Sequence, residues 1–240
     1  MNDSSGTPAA ESVLVVDIGG TRLKMLVTGE TERRVVESGP EMTATQAVQA
    51  IRDLAEGWHY DSMVIGYPGP VADNIPTGNP RNLGPGWQGF DFAAAFPCPV
   101  TVVNDALLQA IGSYDGGRML FMGLGTGLGT ALVIDDLAHP LELAHLPYRK
   151  GRTFEEYLGV EGLERMGEEK WRRRVDDVVQ RFRAALLVDY VVIGGGNVKK
   201  LEELPEGARR GGNDRAFLGG FRLAAPGGIH LCSSRDTGCA

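Results

Sequence analysis

Short apolar runs alternate with amphipathic segments along most of the chain. Apolar runs bounded by turn residues are typical of buried strands, whereas apolar residues spaced along one helical face are typical of helices. A turn is predicted at His139-Pro140, and residues 226–240 show no periodicity and are predicted to be a tail. The runs predict strands at residues 13–18, 23–27, 34–38, 62–67, 100–103, 119–122, 131–134 and 190–193. The spaced residues predict helices at 45–56, 90–96, 105–114, 153–158, 161–166, 168–187 and 214–223.

Two glycine-rich turns each connect two predicted strands. One is residues 123–130, GLGTGLGT, and the other is residues 17–21, DIGGT. Glycine lets the backbone turn tightly and approach a ligand closely, and successive N–H groups in such a turn can bind an anion. One such turn also fits an ordinary hairpin, but two, one in each half of the chain, favour a nucleotide held between two similar domains. Neither turn has the pattern of a P-loop or of a dinucleotide-binding fold.

Composition and charge exclude several other classes of protein. The 240 residues suffice for one large domain or two small ones. The net charge of −7 argues against non-specific nucleic-acid binding. No stretch approaches the roughly 18 apolar residues of a membrane span, and the polar N-terminus lacks a signal-peptide pattern. Because the cysteines Cys98, Cys232 and Cys239 are scattered, we expect no disulfide framework and a cytoplasmic location.

Six short motifs occur in an order that resembles one family, the ROK sugar kinases (repressor, open reading frame, kinase). The motifs are DIGGTRLK at 17–24, GYPGP at 66–70, NDA at 104–106, GTGLGTAL at 125–132, ELAH at 142–145 and IGGGN at 193–197. The resemblance covers about residues 12–225, and the layout after residue 142 is most similar to the polyphosphate- and ATP-dependent glucokinase branch. It implies the α/β fold of the actin and hexokinase superfamily, with two ribonuclease-H-like lobes and a central cleft. The expected lobes are residues 12–104 and 105–225, with tails at 1–11 and 226–240; the last helix could also pack on the first lobe.

The resemblance also implies a set of sugar-binding residues. Asp105 resembles the catalytic base that accepts the proton of the sugar hydroxyl; in phosphoryl transfer one residue commonly orients the attacking group. Asn104 would hold a neighbouring hydroxyl, although an Asn-Asp pair here also predicts a helix cap. Glu142 and His145 resemble the family's E-x-G-H pair, with Ala144 in place of glycine. The whole expected set is Gly69, Asn104, Asp105, Glu142, His145 and Glu155.

Several of these assignments have open alternatives. Glu155 resembles a further sugar-binding glutamate of the family, but the adjacent Glu156 could take the same place. His145 could instead be an ordinary surface histidine, and Trp87 could belong to the core. The residues that would shape the mouth of the sugar site are Pro68, Gly69, Asn82 and Trp87.

The resemblance places the phosphoryl donor on the glycine turns. Asp17 would bind Mg²⁺ through water. The residues expected to contact the phosphates or the nucleotide are Asp17, Gly19, Gly20, Thr21, Lys24, Gly125, Thr126, Gly127, Gly194, Gly195, Gly196 and Asn197. Most of the family carries a zinc motif, CxCGxxGCxE, but this chain has no cysteine between Cys98 and Cys232, so we expect no structural zinc.

The expected function is phosphoryl transfer from ATP or polyphosphate to the 6-hydroxyl of a hexose, glucose being the first candidate. The alternative is a non-catalytic sugar- or nucleotide-binding ROK protein. A repressor needs a DNA-binding unit, and only about eleven residues precede the first predicted strand. Basic residues at 172–174, 199–200 and 209–210 would suit polyphosphate, but they equally fit solvated surface charge. We expect the hexose and the donor as partners, no nucleic acid and no membrane, and leave a homodimer open.

Overall fold

Two β-sheets form the framework of the molecule, one in each half of the chain. The computed structural model describes residues 11–212 and 214–232. The strands are β1 (Val13–Ile18), β2 (Arg22–Val27), β3 (Arg34–Glu37), β4 (Ser62–Tyr67), β5 (Val71–Ala72), β6 (Ile75–Pro76), β7 (Val100–Asn104), β8 (Arg118–Leu124), β9 (Leu128–Ile134), β10 (Leu137–Leu141), β11 (Pro147–Arg149), β12 (Arg152–Thr153), β13 (Tyr190–Gly194), β14 (Ala208–Arg210) and β15 (His230–Leu231).

Seven α-helices are described, and they cover both sheets. None of the helices in the described part of the chain combines the length and the apolar character that a membrane span requires. The helices are α1 (Ala44–Leu54), α2 (Phe92–Ala95), α3 (Asp105–Ser113), α4 (Glu155–Leu158), α5 (Val160–Met166), α6 (Glu168–Leu186) and α7 (Arg215–Ala224), with 3-10 turns at Leu143–His145 and Val198–Lys200.

Parallel pairing at the centre of each sheet brings strand ends together. The first sheet has the order β3-β2-β1-β4-β7 and the second the order β14-β13-β8-β9-β10-β15. Strands β1, β4 and β7 run parallel, as do β8, β13 and β14. Ligands commonly bind at the carboxyl ends of such strands. The antiparallel hairpins β1–β2 and β8–β9 contain the two glycine turns, which confirms the prediction of two strand–turn–strand units.

Helices α3 and α7 form a layer between the two sheets. A Cβ atom on Gly112 of α3 would overlap the carbonyl oxygen of Arg215, and one on Gly219 of α7 would overlap that of Leu108. The two helix backbones are therefore in direct contact. Helix α7 also packs on β1 and β4, where a Cβ on Gly220 would meet Val15. The glycines that weaken the predicted helix at 214–223 are thus the residues that let it approach its neighbours.

Two local predictions were wrong, both near the edge of the second sheet. His139 and Pro140 lie in strand β10 rather than in a turn. Pro140 is tolerated because β15 pairs only with Leu137 and Ala138, so no ladder bond is required where the N–H is missing. The predicted tail at 226–240 contains strand β15 (His230–Leu231). Residues 233–240 lie outside the described residues, as do 1–10 of the predicted N-terminal tail.

Candidate active site

A cleft of about 400 Å³ opens where the carboxyl ends of the parallel strands in the two sheets face each other. Both glycine turns reach it, as does the N-terminus of α3. The long polar loop between β6 and α2 forms part of its rim. The part of the chain before α3 contributes Gly19, Gly20, Pro68, Gly69, Pro70, Asn79, Pro80, Arg81, Asn82 and Asn104. Helix α3 and the part of the chain after it contribute Asp105, Ala106, Gln109, Gly123, Gly125, Thr126, Gly127, Leu128, Gly129, Thr130, Leu141, Glu142, His145, Glu155 and Gly195.

Asp105 lies at the point where β7 ends and α3 begins. Asn104 is the N-cap of α3, and its Oδ1 accepts a hydrogen bond of 2.9 Å from the backbone N–H of Ala106. The side-chain amide of Asn104 donates to the carbonyl oxygen of Gly69 at 2.9 Å. The backbone N–H of Ala106 also donates to Asp105 Oδ1 at 2.8 Å. The predicted helix cap is therefore present, and it fixes the carboxylate of Asp105 at the cleft wall.

The surroundings of Asp105 disfavour its charged form. Burial and then the negative charge of Asp17 raise the pKa of Asp105 from 3.8 to about 7. The hydrogen bond from Ala106 and the positive charge of Lys24 act in the opposite direction. A carboxylate with a pKa near neutrality can accept a proton and release it again at physiological pH.

Asp17 lies beneath the cleft rather than on its wall. It is 8% exposed, and its Oδ2 accepts a hydrogen bond of 2.8 Å from Lys24 Nζ. The described residues contain no group of three or more His, Cys, Asp or Glu side chains that could hold a metal ion. A single carboxylate fits a hydrated Mg²⁺, because Mg²⁺ keeps several waters and commonly uses one or two protein carboxylates beside substrate phosphates.

The glycine turn between β8 and β9 rests on the turn that follows β13. The backbone N–H of Asn197 donates to Leu124 at 2.9 Å, and its side-chain amide donates to the carbonyl of Gly125 at 3.0 Å. Gly195 has φ of +83°, and a Cβ there would overlap the backbone of Leu124. The structure therefore brings the predicted donor motifs GTGLG and IGGGN together. Of the second motif, Gly195 lines the cleft, and Asn197 supports the loop from behind.

The predicted sugar-binding carboxylates lie on the second-half wall. His145 Nε2 lies 3.3 Å from Glu142 Oε2, and both side chains are more than half exposed. Glu155 lines the cleft, where its Oε1 lies 3.1 Å from a guanidinium nitrogen of Arg81. Glu156 instead accepts a hydrogen bond of 2.7 Å from the backbone N–H of Thr153. Of the two adjacent glutamates, Glu155 is thus the one that reaches the cleft.

Comparison with known proteins assigns this chain to a family. The family model described as "ROK family" matches residues 13–140, more than half of the chain. The chain belongs to the ROK family. No curated protein matches the chain closely enough to narrow this assignment.

Solved structures of sugar kinases, including two ROK proteins, share the fold. The inorganic polyphosphate/ATP-glucomannokinase from Arthrobacter sp. strain KM superposes with a TM-score of 0.74 at 21% identity, over 87% of this chain and 96% of that one. The ROK hexokinase from Thermus thermophilus gives 0.62 at 20% identity, over 87% and 96%. The ROK glucokinase from Streptomyces griseus, solved with glucose and AMPPNP, gives 0.63 at 18% identity, over 87% and 97%. The fold is therefore the two-lobed ribonuclease-H-like α/β fold with a central cleft.

The cleft of this ROK protein also contains residues that the motifs did not indicate. Arg81 and Gln109 line it, the latter one helical turn after Asp105 on α3. Helical spacing from Asp105 is a signal that could have found Gln109, whereas nothing near Arg81 distinguishes it from other surface arginines. Trp87 is fully buried in the first-half core and donates its ring N–H to the carbonyl of Met42 at 3.1 Å. It does not shape the mouth.

The basic clusters that would suit polyphosphate are largely paired in this ROK protein. Arg172 lies within 3.1 Å of Glu168 and 2.6 Å of Glu202, and Lys200 also pairs with Glu168. The guanidinium of Arg210 donates to the backbone carbonyls of Val198 and Leu201. These residues thus neutralise carboxylates and fix loops, so their presence does not favour polyphosphate over a nucleotide.

Proposed function

We propose that this protein is a sugar kinase that transfers a phosphoryl group from ATP or polyphosphate to the 6-hydroxyl of a hexose, with glucose as the first candidate. The observation that carries the proposal is the position of Asp105. Its carboxylate is held at the wall of a cleft between two glycine turns, with its pKa raised to about 7. A non-catalytic binding protein would have no need of such a base.

In the proposed reaction Asp105 accepts a hydrogen bond from the sugar hydroxyl. As the hydroxyl oxygen bonds to the terminal phosphorus, its proton passes to the Asp105 carboxylate and the bond between phosphorus and the leaving oxygen of the donor breaks. The protein contributes mainly position and charge stabilisation. Asp105 returns the proton to water after the sugar phosphate leaves, which a pKa near 7 permits.

We assign the sugar to the part of the cleft between Asn104 and Glu142. Carboxylates accept hydrogen bonds from sugar hydroxyls, and the imidazole of His145 can donate or accept. Glu155 would contact the same sugar from α4. Gly69 is held in place by the amide of Asn104, so the turn after β4 would form the floor of this part of the cleft.

We assign the donor phosphates to the two glycine turns. Gly19, Gly20, Gly125, Thr126 and Gly127 line the cleft with backbone that no side chain covers. Asp17 would hold Mg²⁺ through water, and the ion would neutralise part of the charge on the phosphates. Lys24, which is paired with Asp17, would keep that carboxylate in place. Gly194, Gly196 and Asn197 would support the nucleoside side, and Thr21 would add a hydroxyl at the exposed end of the first turn.

Similarity to the structural neighbours is compatible with both donors and with more than one sugar. The Arthrobacter protein is named for polyphosphate, ATP and glucomannokinase activity, and the Streptomyces protein was solved with glucose and AMPPNP. The deciding experiment is therefore a panel on the purified protein: ATP, GTP and polyphosphate against glucose, mannose, fructose and N-acetyl sugars, with sugar phosphate as the product measured. Turnover with at least one pair is expected. Calorimetric binding of a sugar without turnover on any donor would instead support the non-catalytic alternative.

A further inference from the structure

Arg81 crosses the mouth of the cleft from one half of the molecule to the other. It lies in the loop between β6 and α2 of the first half, and its side chain is 69% exposed. Its guanidinium nevertheless lies 3.1 Å from Glu155 Oε1, at the start of α4 in the second half. Among the described residues that line the cleft, Arg81 is the one arginine or lysine.

Glu155 is held from two sides. While one carboxylate oxygen pairs with Arg81, the other accepts a hydrogen bond of 3.4 Å from the backbone N–H of Leu128, in the second glycine turn. The same oxygen packs so closely on Gly127 that a Cβ atom there would collide with it. The side chain of Glu155 is only 22% exposed. Its carboxylate therefore has one orientation for as long as Arg81 holds the outer oxygen.

The loop that carries Arg81 is itself anchored at the cleft. The next residue, Asn82, donates its side-chain amide to the hydroxyl of Thr126 at 3.2 Å, a second contact across the mouth. Asn82 also packs on Gly20, where a Cβ would lie 2.7 Å from the Cβ of Asn82. Asn82 thus contacts both glycine turns, and the adjacent Arg81 contacts Glu155 on α4. This anchoring gives the guanidinium a defined place despite its exposure.

We propose that Arg81 is a positioning residue, which acts through Glu155 and determines how tightly the cleft binds its sugar. The inference rests on the proposed function, in which Glu155 contacts the sugar. A carboxylate fixed in advance loses less conformational freedom when it accepts hydrogen bonds from sugar hydroxyls. Without Arg81, Glu155 is free to turn towards solvent, and the sugar must order it on binding.

The test compares Arg81→Met and Arg81→Lys with the unmodified protein. Exposed ion pairs contribute modestly, so we expect Arg81→Met to raise the sugar KM by about threefold to tenfold, with kcat and the donor KM nearly unchanged. Arg81→Lys keeps the charge and should recover part of that loss. Because exposed charges are screened by salt, added salt should raise the sugar KM of the unmodified protein more than that of Arg81→Met.

Arg173 provides a matched control. Its side chain is 65% exposed and lies 3.1 Å from Glu169 on α6, away from the cleft lining. Arg173→Met removes an arginine of similar exposure from an ion pair of the same length, and should leave the sugar KM unchanged. In a double-mutant cycle with Glu155→Gln, the effect of Arg81→Met should largely disappear.

The outcomes separate this inference from the proposed function. If the unmodified protein shows no turnover with any donor, the proposed function fails. If the unmodified protein is active, two results would overturn the positioning role and leave the proposed function intact. One is an unchanged sugar KM in Arg81→Met. The other is a loss of kcat and stability in Arg81→Met that Arg81→Lys does not recover. Should Arg81→Met not fold, the salt dependence of the unmodified protein and the Arg81→Lys KM decide the question.

Discussion

Replacing Asp105 with asparagine should abolish phosphoryl transfer and at the same time stabilise the protein. Asparagine has the same shape, and its side-chain oxygen can still accept the hydrogen bond from Ala106 that Asp105 accepts at 2.8 Å. It cannot accept the proton of the sugar hydroxyl. General base catalysis typically contributes about 10²–10⁴-fold, so we expect a rate loss in that range. Calorimetry should show that sugar binding survives.

The stability gain follows from the raised pKa of Asp105. In the unfolded chain the carboxyl titrates near 3.8, and in the folded protein near 7. At about 1.4 kcal/mol per pH unit, this difference corresponds to about 4 kcal/mol against the folded state once the group is ionised in both states. The open side of the cleft admits water, which screens part of this effect, so we expect Asp105→Asn to gain about 2–4 kcal/mol at pH 8.

The stability difference between Asp105→Asn and the unmodified protein should depend on pH in a defined direction. Below about pH 4 the carboxyl is protonated in both states, so Asp105→Asn and the unmodified protein should be about equally stable. As pH rises from about 4 to 7, the carboxyl is ionised in the unfolded chain but still protonated in the folded protein, so the unmodified protein loses stability relative to the variant. Above about pH 7 the difference stays constant, because the group is ionised in both states. Thermal unfolding at pH 4.5, 6, 7 and 8 would follow this divergence.

A matched substitution checks that the gain belongs to Asp105. Asp91 is the exposed N-cap of α2, where it accepts a hydrogen bond of 3.0 Å from Ala94. Asparagine is an equally good N-cap, so Asp91→Asn should change neither the activity nor the pH dependence of the stability. A rate loss below about tenfold in Asp105→Asn, or a stability difference that is the same at pH 4.5 and 8, would refute the reasoning about this site.

Three further predictions concern packing and metal content. Gly219→Ala should destabilise the protein by at least about 1–3 kcal/mol in urea unfolding, because the new Cβ would overlap the carbonyl of Leu108. Gly212→Ala is the control, because the space around Gly212 is open, and it should leave the free energy of unfolding unchanged. Gln109→Leu should raise the free energy of unfolding by about 1 kcal/mol, because its buried side-chain oxygen has no partner in the structure; an unchanged or lower value would show that this oxygen is satisfied, for example by water. Elemental analysis after chelation should find far less than one zinc per chain, and a full equivalent would contradict the interpretation of the missing cysteine motif.

The parts of the fold that depend on local signals could be predicted from the sequence. The glycine turns, the cap at Asn104 and the amphipathic α6 each depend on residues close together in the chain. Strand β15 was missed because its pairing with β10 joins distant segments. Strand β10 follows β9 directly, but it was missed because nothing near Pro140 signals the sheet edge that accommodates a proline. Gly219 and Gly220 lower the helix propensity of α7, and propensity alone does not show that Gly219 lies against the backbone of α3.

The residues of the candidate site also fall into two groups: those that local motifs indicate and those whose place depends on contacts between distant segments. The motifs NDA and GTGLG indicated Asp105 and the second glycine turn as parts of the site, because each motif lies within a few residues at the end of one strand. Arg81 was missed because its proposed role depends on Glu155, which lies in the other half of the chain. Trp87 was ambiguous because a tryptophan in a polar loop can face either a ligand or the core, and only the contact with Met42 decides between them.

The α3–α7 layer connects the stability of the fold with the proposed chemistry. Asp105 is the first residue of α3, so its place in the cleft is set by how closely α3 approaches α7 and the two sheets. Gly112 and Gly219 permit that approach, because any side chain at either position would push the helices apart. A separation of about 1 Å at the crossing would also displace the carboxylate, and misplacement on that scale can cost about 10²-fold in rate. The glycines at the helix crossing therefore contribute to positioning the proposed base, although neither lines the cleft.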